Sequence, residues 1–304
     1  MASSFPPPSN PMPPSAGGPI ATRRVEAGAG ASWWAAGWRI FTAHIGTWIG
    51  IVVVYFILSG LLSRVPYIGA LAQSLLSPVF VGGIMAGCSA VDRGGPLRFT
   101  HLFEGFKEPN FIPLLIIGAV NIGFLVAIVL VMFAGFAGTI GLSVLLGNAT
   151  PDFDPYALWE GLGIGMLIGA LAVLVLVAVV AMLNWFAPAL VVLRGAPPIE
   201  AMKASFRACM RNWVPFLVYG AIGMAIMLAA LVVFVLVFAM AGLSAAFGGD
   251  GGWERVIGGI VVLGILAFTF GLVLTPLVFA STFASYRDNF AAAGEETTGT
   301  VVPR

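Results

Sequence analysis

Lys203, Arg207 and Arg211 recur every four residues, which places them on one side of a helix, beside an apolar face approximated by Ile199, Met202, Phe206 and Met210. Cations held this way at the headgroup level of a membrane attract anionic phospholipid, each contributing on the order of 1 kcal/mol. The same residues could instead serve only to orient the chain, since basic residues favour the cytoplasmic side. A second polar set, Gln73, Asn121 and Asn184, stands inside long apolar runs. An amide in that setting either joins two helices by hydrogen bonding or holds a solute, and helix joining is the expected role. Two glycine series, Gly83/Gly87 and Gly161/Gly165/Gly169, have the four-residue spacing that lets helix backbones approach closely.

Other chemistry lacks the residues it needs. His44 and His101 stand on surface segments without a second ligand at usable spacing. Cys88 and Cys209 read as small apolar residues near helix ends. Asp152 and Asp154 share a proline-containing loop and read as a solvated turn rather than a cation site. Nucleophile-elbow, zinc-protease and phosphate-loop motifs do not occur. The expectation is therefore no enzyme, no cofactor, no metal and no nucleic-acid partner.

The elements that position these residues follow from composition. With 60% hydrophobic and 9% charged residues and a mean hydropathy of +1.02, the chain is suited to a bilayer rather than to water. Residues 1–30 are rich in Pro, Ser and Gly and predict a disordered tail; residues 291–304 predict a second flexible tail. Between them, residues 31–290 form a membrane domain with spans near 48–63, 67–91, 111–136, 161–193, 213–242 and 256–284. The uncharged run from Phe111 to Leu146 exceeds the roughly 20 residues one span needs, and either one long helix or two short spans would satisfy it. Loop charge favours one, because Asp152, Asp154 and Glu160 follow without a basic residue and so belong outside. Both termini are then cytoplasmic, and Arg64 and Arg255 are the outlying basic residues.

Amphipathic segments precede the odd-numbered spans. Phe99, Leu102, Phe103 and Phe106 line one α-helical face between Pro96 and Pro109, and Trp34, Trp38, Phe41, Ile45 and Trp48 line another. Trp33, Trp34, Trp38 and Trp48 together suit the headgroup layer. N-F-I-P-L-L at Asn110 matches N-W-V-P-F-L at Asn212, with T-W-I-G at Thr47 as a weaker third copy, and each even-numbered span carries one proline, Pro78, Pro188 or Pro276. The expected fold is all-α: a polytopic transmembrane bundle of three hairpins inserted in the same direction, with interfacial amphipathic helices before spans 1, 3 and 5.

The sequence resembles an uncharacterised family of polytopic inner-membrane proteins of Gram-negative bacteria, itself distantly similar to the membrane region of some glycerophosphodiester phosphodiesterases. The resemblance rests on A-G-W-R-I-F at Ala36, on the stretch from Val65 to Cys88, and on H-L-F-E-G-F-K at His101 to Lys107, and covers most of residues 33–290. It implies a multi-spanning location in the inner membrane and little more; the sequence holds none of the phosphodiesterase catalytic domain, so that activity is not expected to carry over. The expected role is a non-enzymatic scaffold or envelope-homeostasis component, with a transporter or channel for a small solute or lipid as the alternative. The expected partner is the bilayer, including anionic phospholipid, and a protein partner or a second copy remains open.

Overall fold

The computed structural model describes residues 20–145, 155–247 and 252–290, without the side chains of 139–145, 155–165 and 247. The packing of Gly161 and Gly165, the loop holding Asp152 and Asp154, and the tails before 20 and after 290 lie outside the described residues. The described chain is all-helical. In order it forms α1 (Ala29–Ala43), α2 (Ile45–Ser63), α3 (Ile68–Asp92), a 3-10 helix (Phe99–Phe106), α4 (Phe111–Leu145), α5 (Pro155–Asn184), α6 (Ala187–Arg194), α7 (Pro198–Arg211), α8 (Trp213–Phe247) and α9 (Gly252–Phe290). Six helical stretches are long and apolar enough to cross a membrane: α2, α3, α4, the stretch Met166–Arg194 that includes α6, α8 and α9. The run after Phe111 is one continuous helix.

The long helices pair antiparallel. Ser59 meets Gln73 between α2 and α3. Gly135 lies against Gly169 and Asn121 against Asn184 between α4 and α5. Phe234 meets Phe270 and Tyr219 meets Ser281 between α8 and α9. Packing then concentrates at one end, here termed the base. Beyond Pro78, Val79, Ile84, Met85 and Cys88 of α3 are buried; beyond Pro276, so are Ala280, Phe283 and Phe290 of α9; α6 is buried from Ala187 to Val191. By contrast, the most apolar stretches of α8 and α9 contain no buried residue. Lipid tails solvate such faces as well as leucine does, so they need no protein partner.

At the base the ends of α3, α6 and α9 meet. Arg287 of α9 pairs with Asp92 of α3 at 2.7 Å. Arg194, at the end of α6, donates through Nε to the Tyr286 hydroxyl at 3.2 Å and through Nη2 to the Phe290 carbonyl, and its guanidinium lies 5.8 Å from the Phe290 ring centre. A short helix clasps each of these ends from outside. The 3-10 helix lies on α3, α7 on α5 and α6, and α1 on α9. Each clasp precedes the hairpin next in sequence, and α1 meets the last helix, so the three units close into a ring. The contacts are backbone-close. A Cβ on Gly83 would strike the carbonyls of His101 and Leu102, one on Gly105 would strike the Val79 carbonyl, and one on Gly37 would lie 2.8 Å from the Ser281 nitrogen.

Local structure departs from the sequence pattern in four places. The face from Trp34 to Trp48 belongs to two helices, because the chain breaks at His44 (φ −146°); the Trp48 indole then reaches back to donate to the Ile40 carbonyl at 3.2 Å. Trp33 and Trp48 are buried in protein rather than set in a headgroup layer, and Trp38 remains exposed. The segment after Pro96 is 3-10 rather than α, and its three-residue repeat aligns Leu102 with Gly105 against α3 while Phe103 is turned out. Finally, the packed chain begins by Ile20, ahead of the compositional boundary at 30: residues 22–25 are laced to the base by backbone bonds described below.

Within α4, a Cβ on Gly118 would stand 2.7 Å from the Leu75 Cα, whereas Gly123, one turn and a half onward, has open space around it. Gly118→Val should therefore destabilise the detergent-solubilised protein by about 1–3 kcal/mol, and Gly123→Val by far less. Thermal unfolding of the two variants checks this, and equal behaviour would contradict the close α3–α4 approach.

Candidate functional site

Asn121 and Asn184 form a reciprocal amide pair. Asn121 Nδ2 donates to Asn184 Oδ1 at 3.0 Å, and Asn184 Nδ2 donates to Asn121 Oδ1 at 2.8 Å and to the Val180 carbonyl at 2.8 Å. Both amide hydrogens of Asn184 are thereby used, and one of Asn121 is left. The pair lines a cavity of about 370 Å³ between α3, α4, α5 and α6, together with Ser74, Ser77, Pro78, Phe124, Ile128 and Pro188. Gln73, the third intramembrane amide, is directed elsewhere: its Nε2 donates to Ser59 Oγ of α2 at 3.3 Å, and its Oε1 is buried without a partner among the described residues.

Two prolines enrich this cavity in acceptors. Proline has no N–H, so Pro78 cannot bond the Ser74 carbonyl, nor Pro188 the Asn184 carbonyl, four residues earlier. The helix breaks after Asn184, and Pro188 falls in the first turn of α6. Ser205 of α7 holds the break: its hydroxyl donates to the Met182 carbonyl at 2.6 Å and accepts the Phe186 N–H at 2.9 Å. Beside it, burial pushes the Cys209 thiol up to about 12 and leaves it protonated, with Sγ 3.8 Å from the same Met182 carbonyl. Cys209 thus packs as a small apolar residue.

The basic stripe of α7 is divided in its use. Ala201, Met202, Ala204, Ser205, Ala208 and Cys209 form the packed face, and Ile199 and Met210 are exposed beside Lys203, Arg207 and Arg211. Lys203 pairs with Glu200 at 3.1 Å, and Arg211 Nη1 donates to the Thr22 carbonyl at 2.9 Å. Arg207 has no side-chain partner among the described residues. The next residue, Asn212, is buried and acts as a junction: Nδ2 donates to the Arg23 carbonyl at 2.8 Å and to Asn289 Oδ1 at 2.6 Å, while Oδ1 accepts the Val25 N–H at 2.9 Å. Asn289 in turn accepts the Arg23 N–H on its carbonyl. Trp33 Nε1 donates to Asp288 Oδ2 at 2.8 Å close by. Asn212, Asn289 and Ser205 escape a reading for chemistry because each meets a partner far away in sequence, Asn212 and Ser205 on backbone groups and Asn289 on the Asn212 side chain. Asn212 carried a signal nonetheless, as the first residue of the N-W-V-P-F-L copy.

A second polar cavity, of about 400 Å³, sits at the base between α3, the 3-10 helix and α6, lined by Ser89, Arg93, His101, Glu104 and Asn110. His101 is held by structure: its Nδ1 accepts the Arg98 N–H at 3.1 Å, which leaves its proton on Nε2 when neutral. Burial lowers its pKa below the ordinary histidine range, Glu104 opposes that shift, and Arg98 and Lys107 add to it. Glu104 is itself engaged by Lys107 at 2.6 Å. No group of three or more His, Cys, Asp or Glu able to hold a metal occurs among the described residues.

Six membrane-length apolar helices clasped at one end by short helices define a multi-pass membrane protein. Comparison with known proteins places it further. The chain is 30% identical to a probable inner membrane protein of Burkholderia thailandensis over 269 residues, 88% of this chain and 92% of that one, and it belongs to the same family. Residues 110–251 also match the family model described as "Domain of unknown function (DUF7847)". No solved structure matches.

The amide pair makes the most direct prediction for this region. Removing one partner leaves a buried amide unsatisfied, whereas removing both does not. Asn121→Leu and Asn184→Leu should each destabilise the protein, and the double variant should be less destabilised than the sum of the two, with a coupling of about 0.5–2 kcal/mol. Additive losses in a double-mutant cycle, read by unfolding in detergent, would show that the two amides do not share a bond.

Proposed function

We infer that this protein is a non-enzymatic scaffold of the bacterial inner membrane, with both termini in the cytoplasm and its base on the cytoplasmic side. One observation carries the reading: packing and basic charge gather at the same end. Of the described Lys and Arg residues, Arg64 and Arg255 lie by the far ends of the hairpins, and the others lie on or beside the clasping helices and the ends of α3, α6 and α9. Positive charge flanking spans favours the cytoplasm. The name of the Burkholderia relative supports the inner membrane.

The titratable groups of the base support a structural role, since Asp92 and Asp288 are each spent on a contact that joins two helices, and Glu104 and His101 on bonds that hold the 3-10 segment in shape. The distant likeness to the membrane region of glycerophosphodiester phosphodiesterases belongs to this reading as shared architecture, without the hydrolase. On the exposed side of α7, Ile199 and Met210 enter the acyl layer while Lys203, Arg207 and Arg211 meet anionic headgroups, with Arg207 the member least engaged by protein. A carrier of a small solute or lipid is the second reading, favoured by the polar cavity at Asn121 and Asn184.

Single cysteines at Glu200 and Val65, in a background carrying Cys88→Ala and Cys209→Ala, test the orientation. Glu200→Cys should react with a membrane-impermeant maleimide from the cytoplasmic face alone and Val65→Cys from the opposite face alone; reaction of both from one face would overturn it. Arg207→Gln should weaken retention of phosphatidylglycerol about fivefold, the equivalent of roughly 1 kcal/mol, without changing the labelling pattern. Unchanged retention would remove the headgroup contact from the account.

A further inference from the structure

Next to the cavity at Asn121 and Asn184, along the same α4–α5 hairpin, lies an apolar trough of about 790 Å³, flanked by Val129, Met132 and Phe136 of α4 and by Met166, Val173 and Val177 of α5. The two spaces share one seam: residues 121, 125, 128, 132 and 136 are a continuous face of α4, as 184, 180, 177, 173, 170 and 166 are of α5. From Val177 to Met166 the trough runs for roughly 16 Å at the 1.5 Å helical rise. Leu125 and Val129 are exposed, so the seam is open to the bilayer along its side. A polar head with an apolar tail is the shape of a single amphiphile.

The groups left over in the head define its chemistry. Ser74 and Ser77 line the cavity, and neither hydroxyl is engaged by a described residue. Asn121 keeps one amide hydrogen without a partner among the described residues. Pro78 releases the carbonyl of Ser74, and the carbonyl of Asn184 stands at the end of α5, where it takes no helical bond. Donors and acceptors are thus both present, and among the described residues no Asp, Glu, Lys, Arg or His lines either space. A phosphate or carboxylate would be left without a counter-charge in a low-dielectric site, which is costly. An ammonium would find acceptors but would leave the serine and amide donors unmatched. An alcohol both gives and takes, and it carries no charge. The cavity volume lies within the roughly 300–1,000 Å³ usual for ligand sites.

We propose that this seam binds an uncharged, hydroxyl-bearing acyl lipid of the monoacylglycerol or diacylglycerol class, with its glycerol hydroxyls among Ser74, Ser77 and Asn121 and one acyl chain in the trough. This goes beyond the scaffold reading and does not depend on the basic stripe. It also gives a physical reason for two prolines and two serines around one amide pair in the interior of a membrane bundle.

The test uses the full-length protein in detergent with a diacylglycerol carrying a photoreactive group on one acyl chain, followed by peptide mapping. Label should concentrate on α4 and α5 between residues 121 and 136 and between 166 and 184. Unlabelled dioleoylglycerol should compete at least tenfold better than phosphatidylglycerol. The double change Ser74→Ala with Ser77→Ala should reduce labelling at least fivefold, and Ile128→Trp should block it, while Leu231→Trp on α8 should leave it unchanged. Should Ile128→Trp fail to fold, the serine variant decides. Label spread equally over α8 and α9, competition by phosphatidylglycerol as effective as by dioleoylglycerol, or unchanged labelling of the serine variant would each overturn the proposal.

Discussion

The fold depends on backbone meeting backbone at the ends of the even-numbered spans. In a bilayer an apolar side chain gains nothing by leaving lipid for protein, so the usual force that assembles a soluble core is absent along most of these helices. What remains is dispersion at short range, which requires surfaces without side chains, and hydrogen bonds that lipid cannot supply. Gly83 and Gly105 admit the 3-10 helix to α3, Gly118 admits α4 to the same helix, and Gly37 admits α1 to α9. Every other feature of the base is built on those approaches: the Arg287–Asp92 pair, the Arg194 contacts and the Asn212 junction require the helix ends to be within a few ångströms of one another. The open faces of α8 and α9 are the other consequence, since nothing drives them to be covered.

This division explains which parts were legible in the sequence. Hydropathy and length disclose the long helices, because crossing a bilayer fixes both. Gly83 and Gly87 were readable as a contact face, although the neighbour is a 3-10 segment rather than another span. The amide residues were visible as misfits in apolar runs with helix joining as their expected role, but which partner each would meet was not: Asn121 bonds to Asn184 and Gln73 to Ser59. Helix type was not legible. Phe99, Leu102, Phe103 and Phe106 fit a 3.6-residue period well, and only the fit of Leu102 and Gly105 onto α3 selects the three-residue period. Tertiary contact also decides the fate of the tryptophans, which composition assigns to a headgroup layer and packing draws into the core. Ser205 and Asn289 were illegible for a simpler reason: a hydroxyl that satisfies distant backbone groups, or an amide that meets another amide far away in sequence, leaves no local pattern.

The prolines connect architecture to the candidate sites. Pro78, Pro188 and Pro276 each sit where an even-numbered helix passes from a lipid-facing stretch into the packed base. Pro78 and Pro276, inside their helices, each remove one helical hydrogen bond and release a carbonyl, a cost that neighbouring polar groups must offset, whereas Pro188 opens α6 after a break and removes none. At the break before Pro188 the Ser205 hydroxyl serves both open groups, donating to the Met182 carbonyl and accepting the Phe186 N–H. The space between Pro78 and Pro188 keeps released oxygens and adds two serines and an amide, so a device that shapes the helix also furnishes a polar cavity.

Closure of the ring by α1 against α9 is the claim on which the architecture stands, and a disulfide measures it most directly. With Cys88 and Cys209 replaced by alanine, Gly37→Cys and Ser281→Cys together bring two Cβ atoms to about 3 Å, so a small shift reaches the roughly 3.5–4.5 Å of a disulfide. Oxidation in native membranes should join the two peptides, seen by mass spectrometry, as readily as it joins Gly135→Cys to Gly169→Cys within the second hairpin, where a Cβ on Gly169 would lie 3.5 Å from the Gly135 Cα. Crosslinking of the hairpin pair without crosslinking of positions 37 and 281 would contradict the closed ring.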